Sequence, residues 1–240
     1  MIEGILRQSW RGPAALPAAV RAPTIARSPL SGSCNAKTFR CRRDRCRPCW
    51  TREAATAEPQ AGEVLALFGQ CFIEIAGRRN ALKPGDAVHV GDTLDVTAGA
   101  KLKLRMNDGS VIAVASGTRL AIADFRLGNG GESREVRLSL GQGLLRAVVS
   151  VLRGEPHFEV DTATGVAAVR STDWFIEARP GSTQVGVLDG RVSLKSVTTG
   201  REIVIPARWG ARVEAGRDPV PARVWTEAEF ADFIGRTNLE

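Results

Sequence analysis

Short runs in which every second residue is apolar, separated by Gly-Asp and Asp-Gly turns, fill the chain from Pro84 to Val192. In Lys101-Leu102-Lys103-Leu104-Arg105-Met106 charged and apolar side chains alternate, and Glu135-Val136-Arg137-Leu138-Ser139-Leu140 repeats the pattern. Successive side chains leave a strand on opposite faces, so a period of two is that of a strand buried on one side. Pro84-Gly85-Asp86, Gly91-Asp92, Asp108-Gly109 and Asp189-Gly190 punctuate these runs. Asp-Gly between two alternating runs predicts a hairpin, because Gly accepts the positive φ of a tight turn. Strands are expected at 63–68, 71–77, 87–90, 101–106, 111–115, 118–122, 135–140, 143–149, 157–161, 166–170, 173–178, 183–188, 191–196, 202–205 and 210–214. Turns every 8–12 residues or so suit a sandwich, a barrel or a coiled solenoid, not alternating βαβ units. The fold class expected is therefore all-β: an antiparallel, solenoid-like β sandwich of many short strands. Asp108-Gly109-Ser110 and Asp189-Gly190-Arg191 look like an internal echo.

Charge separates the chain into two parts. Residues 1–55 hold eleven Lys/Arg against three Asp/Glu, a net of +8, which leaves 22 against 23 for residues 56–240. The +7 of the whole chain thus reports the N-terminal segment, and the β region carries no nucleic-acid signature. With no Tyr in the chain, the core must be built mainly from Val, Leu, Ile and Ala. Residues 1–57 show neither period, and the text changes at Glu63-Val64-Leu65-Ala66-Leu67-Phe68. The expected division is a disordered or non-native basic leader at 1–60, an all-β domain at 61–216 and a C-terminal extension at 217–240.

The leader has three readings. Cys34, Cys41, Cys46 and Cys49 are four thiols that zinc would accept, though not as two spaced pairs and with no His nearby. Arg40 to Arg47 is dense enough to hold phosphates nonspecifically, but no aromatic residues are interleaved with it. The third reading is a leader with a misplaced start. Ala14 to Val20 is broken by Pro17, and Ala54-Ala55-Thr56-Ala57 resembles the end of an export cleavage site whose apolar core is missing. No run of about 18 apolar residues is present to cross a membrane as a helix.

Leu82-x-Pro84-Gly85-Asp86, Gly91-Asp92-Thr93-Leu94, Asp108-Gly109-Ser110 after Leu104, and Gly117-Thr118-x-Leu120 occur in an order that resembles the FecR domain family. Leu138-x-Leu140 leading to Gly143, Phe158-x-Val160-x-Thr162, Val169-Arg170-Ser171-Thr172-Asp173 and Val187-Leu188-Asp189-Gly190-x-Val192 continue the resemblance, which runs from Gly62 to Ala215. Arg170-Ser171-Thr172 stands where the family usually has Arg-Gly-Thr, so a tight backbone contact is expected to be altered there. The resemblance implies an all-β extracytoplasmic domain, found in its best-known members within membrane-anchored regulators that pass a signal from a transporter to a sigma factor. A helical anti-sigma segment, a transmembrane helix and a further signalling domain are not recognisable here, so what carries over is the periplasmic or secreted module itself.

One short helix is expected near the C-terminus. Thr226-x-x-Glu229 is a capping box, and Phe230, Phe233 and Ile234 form one apolar stripe, to pack on the sheet or to dock a partner. Trp209 and Trp225 belong to the same seam.

Chemistry has few candidates. His157 with Asp161 and Ser171 is the one nucleophile-base-acid set, but on a strand His157 and Asp161 lie about 13 Å apart, beyond hydrogen-bonding reach. His89 is expected at a solvated edge, Cys71 as a small buried hydrophobe, and the turn aspartates as acceptors of backbone N–H groups. The glycine loop 128–133 lacks the helix and Lys of a phosphate cradle. No catalytic residue, cofactor or metal is expected, and no cleft for chemistry. The function expected is a non-catalytic extracytoplasmic binding or scaffold module acting on a protein partner in envelope signalling or assembly. The alternative is a glycan- or peptidoglycan-binding accessory domain with an exposed Trp174 as its stacking platform, although Trp174 suits the core better.

Overall fold

The computed structural model describes residues 59–128, 134–150 and 157–239. The Cys-rich leader and most of the glycine loop lie outside them. The described residues form β1 (Gln60–Phe68), β2 (Cys71–Ile75), β3 (Arg78–Ala81), β4 (Ala87–His89), β5 (Thr93–Val96), β6 (Lys101–Met106), β7 (Val111–Val114) and β8 (Thr118–Leu127). There follow β9 (Arg134–Val148), β10 (His157–Asp161), β11 (Gly165–Val169), β12 (Asp173–Arg179), β13 (Ser182–Asp189), β14 (Arg191–Ser196), β15 (Glu202–Pro206), β16 (Trp209–Glu214), β17 (Arg223–Val224) and α1 (Glu227–Thr237).

These strands make two layers that share β9. Sheet 1 runs β4–β1–β6–β7–β9–β12–β13–β16–β17. Sheet 2 runs β3–β2–β5–β8–β9–β10–β11–β14–β15. Inward side chains of both sheets, such as Leu104, Ile112, Trp174 and Val187 from one and Leu120, Leu138, Phe158 and Leu194 from the other, form one buried cluster. This is the aliphatic sandwich that the alternation implies. All the pairings are antiparallel except β9 with β10, where Phe158 lies beside Val136 and Val160 beside Leu138. The chain crosses to sheet 1 in the second half of β9 and returns to sheet 2 at β10, completing one coil of a solenoid.

Strand β9 was expected as two strands, 135–140 and 143–149, and is one. Its first half pairs with β8 in sheet 2 and its second half with β7 and β12 in sheet 1. The crossing point is Gly143, at φ 99°. A Cβ there would stand 2.2 Å from Thr118 Oγ1 and 2.5 Å from its Cα. Thr118 is buried at this crossing, and its hydroxyl accepts from the Leu144 N–H at 3.1 Å. Only glycine meets both demands, and it lets the backbone stay extended through the switch.

Three strands escape the alternation rule. Strand β3 is Arg-Arg-Asn-Ala, exposed throughout, and exists because the Ala76-Gly77 turn, with φ of 48° and 76°, folds it onto β2. Strand β5 stands where only a turn motif is visible in Gly91-Asp92-Thr93-Leu94, and β17 has two residues. The echo between the two Asp-Gly turns is not structural. Asp108-Gly109 makes a true hairpin from β6 to β7. Gly190 alone separates β13 from β14, which lie in different sheets, so Asp189-Gly190 is a corner between layers. One residue is too short for a hairpin loop.

The outer face of sheet 1 is covered by the C-terminal segment. Gly186 on β13 and Gly210 on β16 are cross-strand partners. With no side chains between them, the Trp225 indole lies on the backbone, and a Cβ on Gly210 would fall 1.9 Å from its Cε2. Trp225 stacks on Phe233 (centroids 5.1 Å, 20°) and meets Phe230 at 5.4 Å, while Phe233 reaches Phe175 of β12 at 5.6 Å. The helix therefore packs on the sheet, with Phe230 and Phe233 buried and Ile234 at the margin. Trp209 stays partly exposed. Trp174 to Ala178 are buried without a break, because Trp174, Ile176 and Ala178 face the core while Phe175 and Glu177 lie under the helix. Buried Glu177 is held by Arg236 of α1 and by Arg179.

The capping box forms as expected: Thr226 N–H donates to Glu229 at 2.8 Å, and Glu229 N–H donates to Thr226 Oγ1 at 3.3 Å. Arg223 first, and the Thr226 backbone second, hold the Glu229 carboxyl down at about 2. A depressed pKa gives stabilisation that is complete above the ordinary Glu range and is lost as pH falls toward the folded value. Helix docking is thus expected to weaken between about pH 4.5 and 2. Thermal midpoints measured across that window should fall less steeply in Glu229→Gln than in the wild type, and parallel curves would contradict this.

Candidate functional site

Among the described residues no helix lies over the outer face of sheet 2 at β10, β11, β14 and β15, and a groove of about 740 Å³ opens there. Its origin is the register. Glu159, Ala168, Ser193 and Val204 form one row across the four strands. Ala168 and Ser193 are small, so the middle of the row sinks between longer neighbours. Val166 and Lys195 continue the groove on one side of that row, and Arg170 and Arg191 on the other. Val204 of edge strand β15 is 60% exposed, so the trough is part apolar and open to solvent. The expectation was of no cleft for chemistry; what the small outward residues on these strands leave is an open trough.

Charges in the trough are unequally committed. Glu159 receives Arg137 at 3.0 Å and the His157 ring nitrogen at 2.7 Å. The Arg137 guanidinium also lies 3.8 Å from Asp161, and its pKa is raised chiefly by the hydrogen bond to Glu159. Burial raises Asp161 above the usual carboxylate range, and Arg137 opposes the shift. Glu202 accepts a hydrogen bond from Ser193. Among the described residues, Arg191 and Lys195 have no side-chain ion pair or hydrogen bond.

The nucleophile-base-acid set is not assembled. Asp161 is paired elsewhere, and no hydrogen bond joins Ser171 to His157 although both line the groove. The carboxylate that meets His157 is Glu159, its second neighbour on the same strand face. A period-two reading of His157-Phe158-Glu159 would have found it. His89 is half-exposed on edge strand β4, 3.7 Å from Asp92. Among the described residues no group of three or more His, Cys, Asp or Glu is placed to hold a metal. Trp174 is fully buried, which removes it as a stacking platform.

Cys71 is buried, with its thiol 3.7 Å from the Lys101 carbonyl. Burial, then the Asp95 charge, push its pKa up to about 11. Iodoacetamide at about pH 8 is expected to leave Cys71 unlabelled in the native chain and to modify it after denaturation, as peptide mass spectrometry would show. Rapid native labelling would contradict this.

The motifs of the β region occupy its turns and corners. Asp86, Asp92 and Asp108 each accept a backbone N–H of their own turn, from Lys83, His89 and Ser110 at 2.8–2.9 Å. The 170–172 corner packs on Gly190, whose Cβ would stand 2.6 Å from the Ser171 carbonyl. Ser171 is absent from the positive-φ residues, so serine fits there, and the positive φ belongs to Gly190 across the contact. Residues 92–193 match the FecR protein family. The FecR match lies within the Gly62–Ala215 resemblance and leaves Pro84-Gly85-Asp86 outside. It includes Glu159, Ala168, Arg170, Arg191 and Ser193 of the trough, while Lys195 and Val204 lie beyond it.

Two similar solved structures, at 1.65 Å and 2.50 Å, are each described as a "putative anti-sigma factor" from Parabacteroides distasonis ATCC 8503. They are 16% and 15% identical to this chain, with TM-scores of 0.47 and 0.48 over 59% of it, and the alignments span 64% and 63% of their own lengths. No curated protein matches. Among the described residues no helix is long and apolar enough to cross a membrane.

Proposed function

We propose that the chain is a non-catalytic, extracytoplasmic FecR-like module that acts by protein–protein contact in envelope signalling or assembly. The observation that carries this reading is the FecR match across a sandwich whose motifs serve turns and corners. One outer face is closed by the chain's own helix, and the other presents an open, charged trough. A regulatory module needs such a surface, whereas hydrolysis would need a nucleophile within reach of His157.

In this reading residues 61–216 are the working domain, 217–240 brace it, and 1–60 are a disordered or non-native basic leader. Affinity capture from the envelope fraction of the native host is expected to retain a protein, and purified peptidoglycan is expected not to retain the chain. Retention on peptidoglycan with no protein captured would reverse the choice in favour of glycan binding. N-terminal sequencing of the mature protein should begin close to the Ala54–Ala57 segment; a mature chain starting at Met1 contradicts the leader reading.

A further inference from the structure

We propose that the trough on sheet 2 binds an acidic, otherwise apolar segment of a protein partner. The segment's carboxylates would lie toward Arg191, and its apolar side chains over Val166, Ala168 and Val204. This rests on the interaction-module reading and names its surface and the chemistry of its partner.

Charge complementarity selects the occupant. The trough's carboxylates are engaged: Glu159 by Arg137 at 3.0 Å and His157 at 2.7 Å, and Glu202 by Ser193. Its cations Arg191 and Lys195 are not paired by any described side chain, whereas Arg170 beside Arg191 has an interaction of its own. With Glu159 paired to Arg137, Arg191 and Lys195 are set against Glu202 alone, the cross-strand partner of Lys195, so the charge left over is positive and an anionic segment meets least competition. The basic leader of this chain, with eleven Lys/Arg in residues 1–55, has the wrong sign to fill the trough. Shape agrees with a peptide: Ala168 and Ser193 give a low centre, and exposed Val204 offers apolar contact beside the cations. The partner contact would then combine apolar burial along the trough with Arg-carboxylate bonds at one end.

The test uses the full chain and two fluorescein-labelled peptides. One carries two aspartates followed by alternating valine and serine; the other has lysines in place of the aspartates. Fluorescence anisotropy should show saturable binding of the acidic peptide only, weakening as salt rises. The double variant Arg191→Glu with Lys195→Glu should weaken it by about tenfold or more, and Ala168→Trp should abolish it by filling the trough. All three changed residues have solvent-facing side chains, and circular dichroism and the thermal midpoint verify folding. Should Ala168→Trp unfold, the charge variant decides alone. Equal binding of both peptides, or binding unchanged in the charge variant, overturns the proposal. Envelope capture with wild type and charge variant separates the two levels. A protein retained equally by both overturns the trough and leaves the module, and no protein retained by either counts against both.

Discussion

Replacing Trp225 with Ala is expected to cost about 4 kcal/mol, the middle of the range for deleting a large buried aromatic. The indole is 5% exposed and fills a seat made by two glycines on neighbouring strands, so no side chain can swing in to close the space. Its loss also removes the stacking on Phe233 and Phe230, the contact that ties α1 to the sheet. At about 3 °C per kcal/mol for a domain of this size, the thermal midpoint should fall by about 12 °C. Gly210→Val reaches the same end from the other side, because its Cβ would occupy the indole's position. Both variants should lose near-ultraviolet dichroism and become sensitive to protease at residues 215–226. A shift of under about 1 kcal/mol, the median for substitutions in general, would show that the aromatic seam does not hold the helix.

Gly143→Ala carries the second large effect, about 3 kcal/mol. Left-handed backbone costs about 1–2 kcal/mol in a residue with a Cβ, and overpacking adds about 1–3 kcal/mol when neighbours must move. Here the neighbour is the Thr118 backbone, which cannot rotate aside. The damage falls on β9, the strand that both sheets share, so both layers should loosen together in denaturant unfolding. Were Gly143 an ordinary residue between two separate strands, the substitution would be nearly neutral.

Much of this architecture was legible because one face of each strand is buried and the other is not. The alternation in β6 and β8 and the capping box at Thr226 translate directly into structure. What stayed hidden depends on pairing between distant residues. The Trp225 seat needs Gly186 opposite Gly210, which the sequence places 24 positions apart and only the register brings together. The continuity of β9 depends on a glycine that lets one strand serve two layers. Strand β3 has no apolar signal and follows from its turn. The trough was missed for a similar reason: Ala168 and Ser193 look unremarkable in sequence and become a floor only when β11 and β14 pair. Asp189-Gly190 was misread because an Asp-Gly pair fixes a tight bend but not the layer into which the chain continues.

Photo-crosslinking in the native host tests the central claim, that this sandwich works through contact with a protein. Benzoylphenylalanine would replace Val204 at the trough and Phe68, 66% exposed on β1, in separate chains. The account predicts a discrete adduct with an envelope protein from position 204 and none from position 68. An absence of adducts at both positions, in cells where the chain is folded and exported, would contradict it.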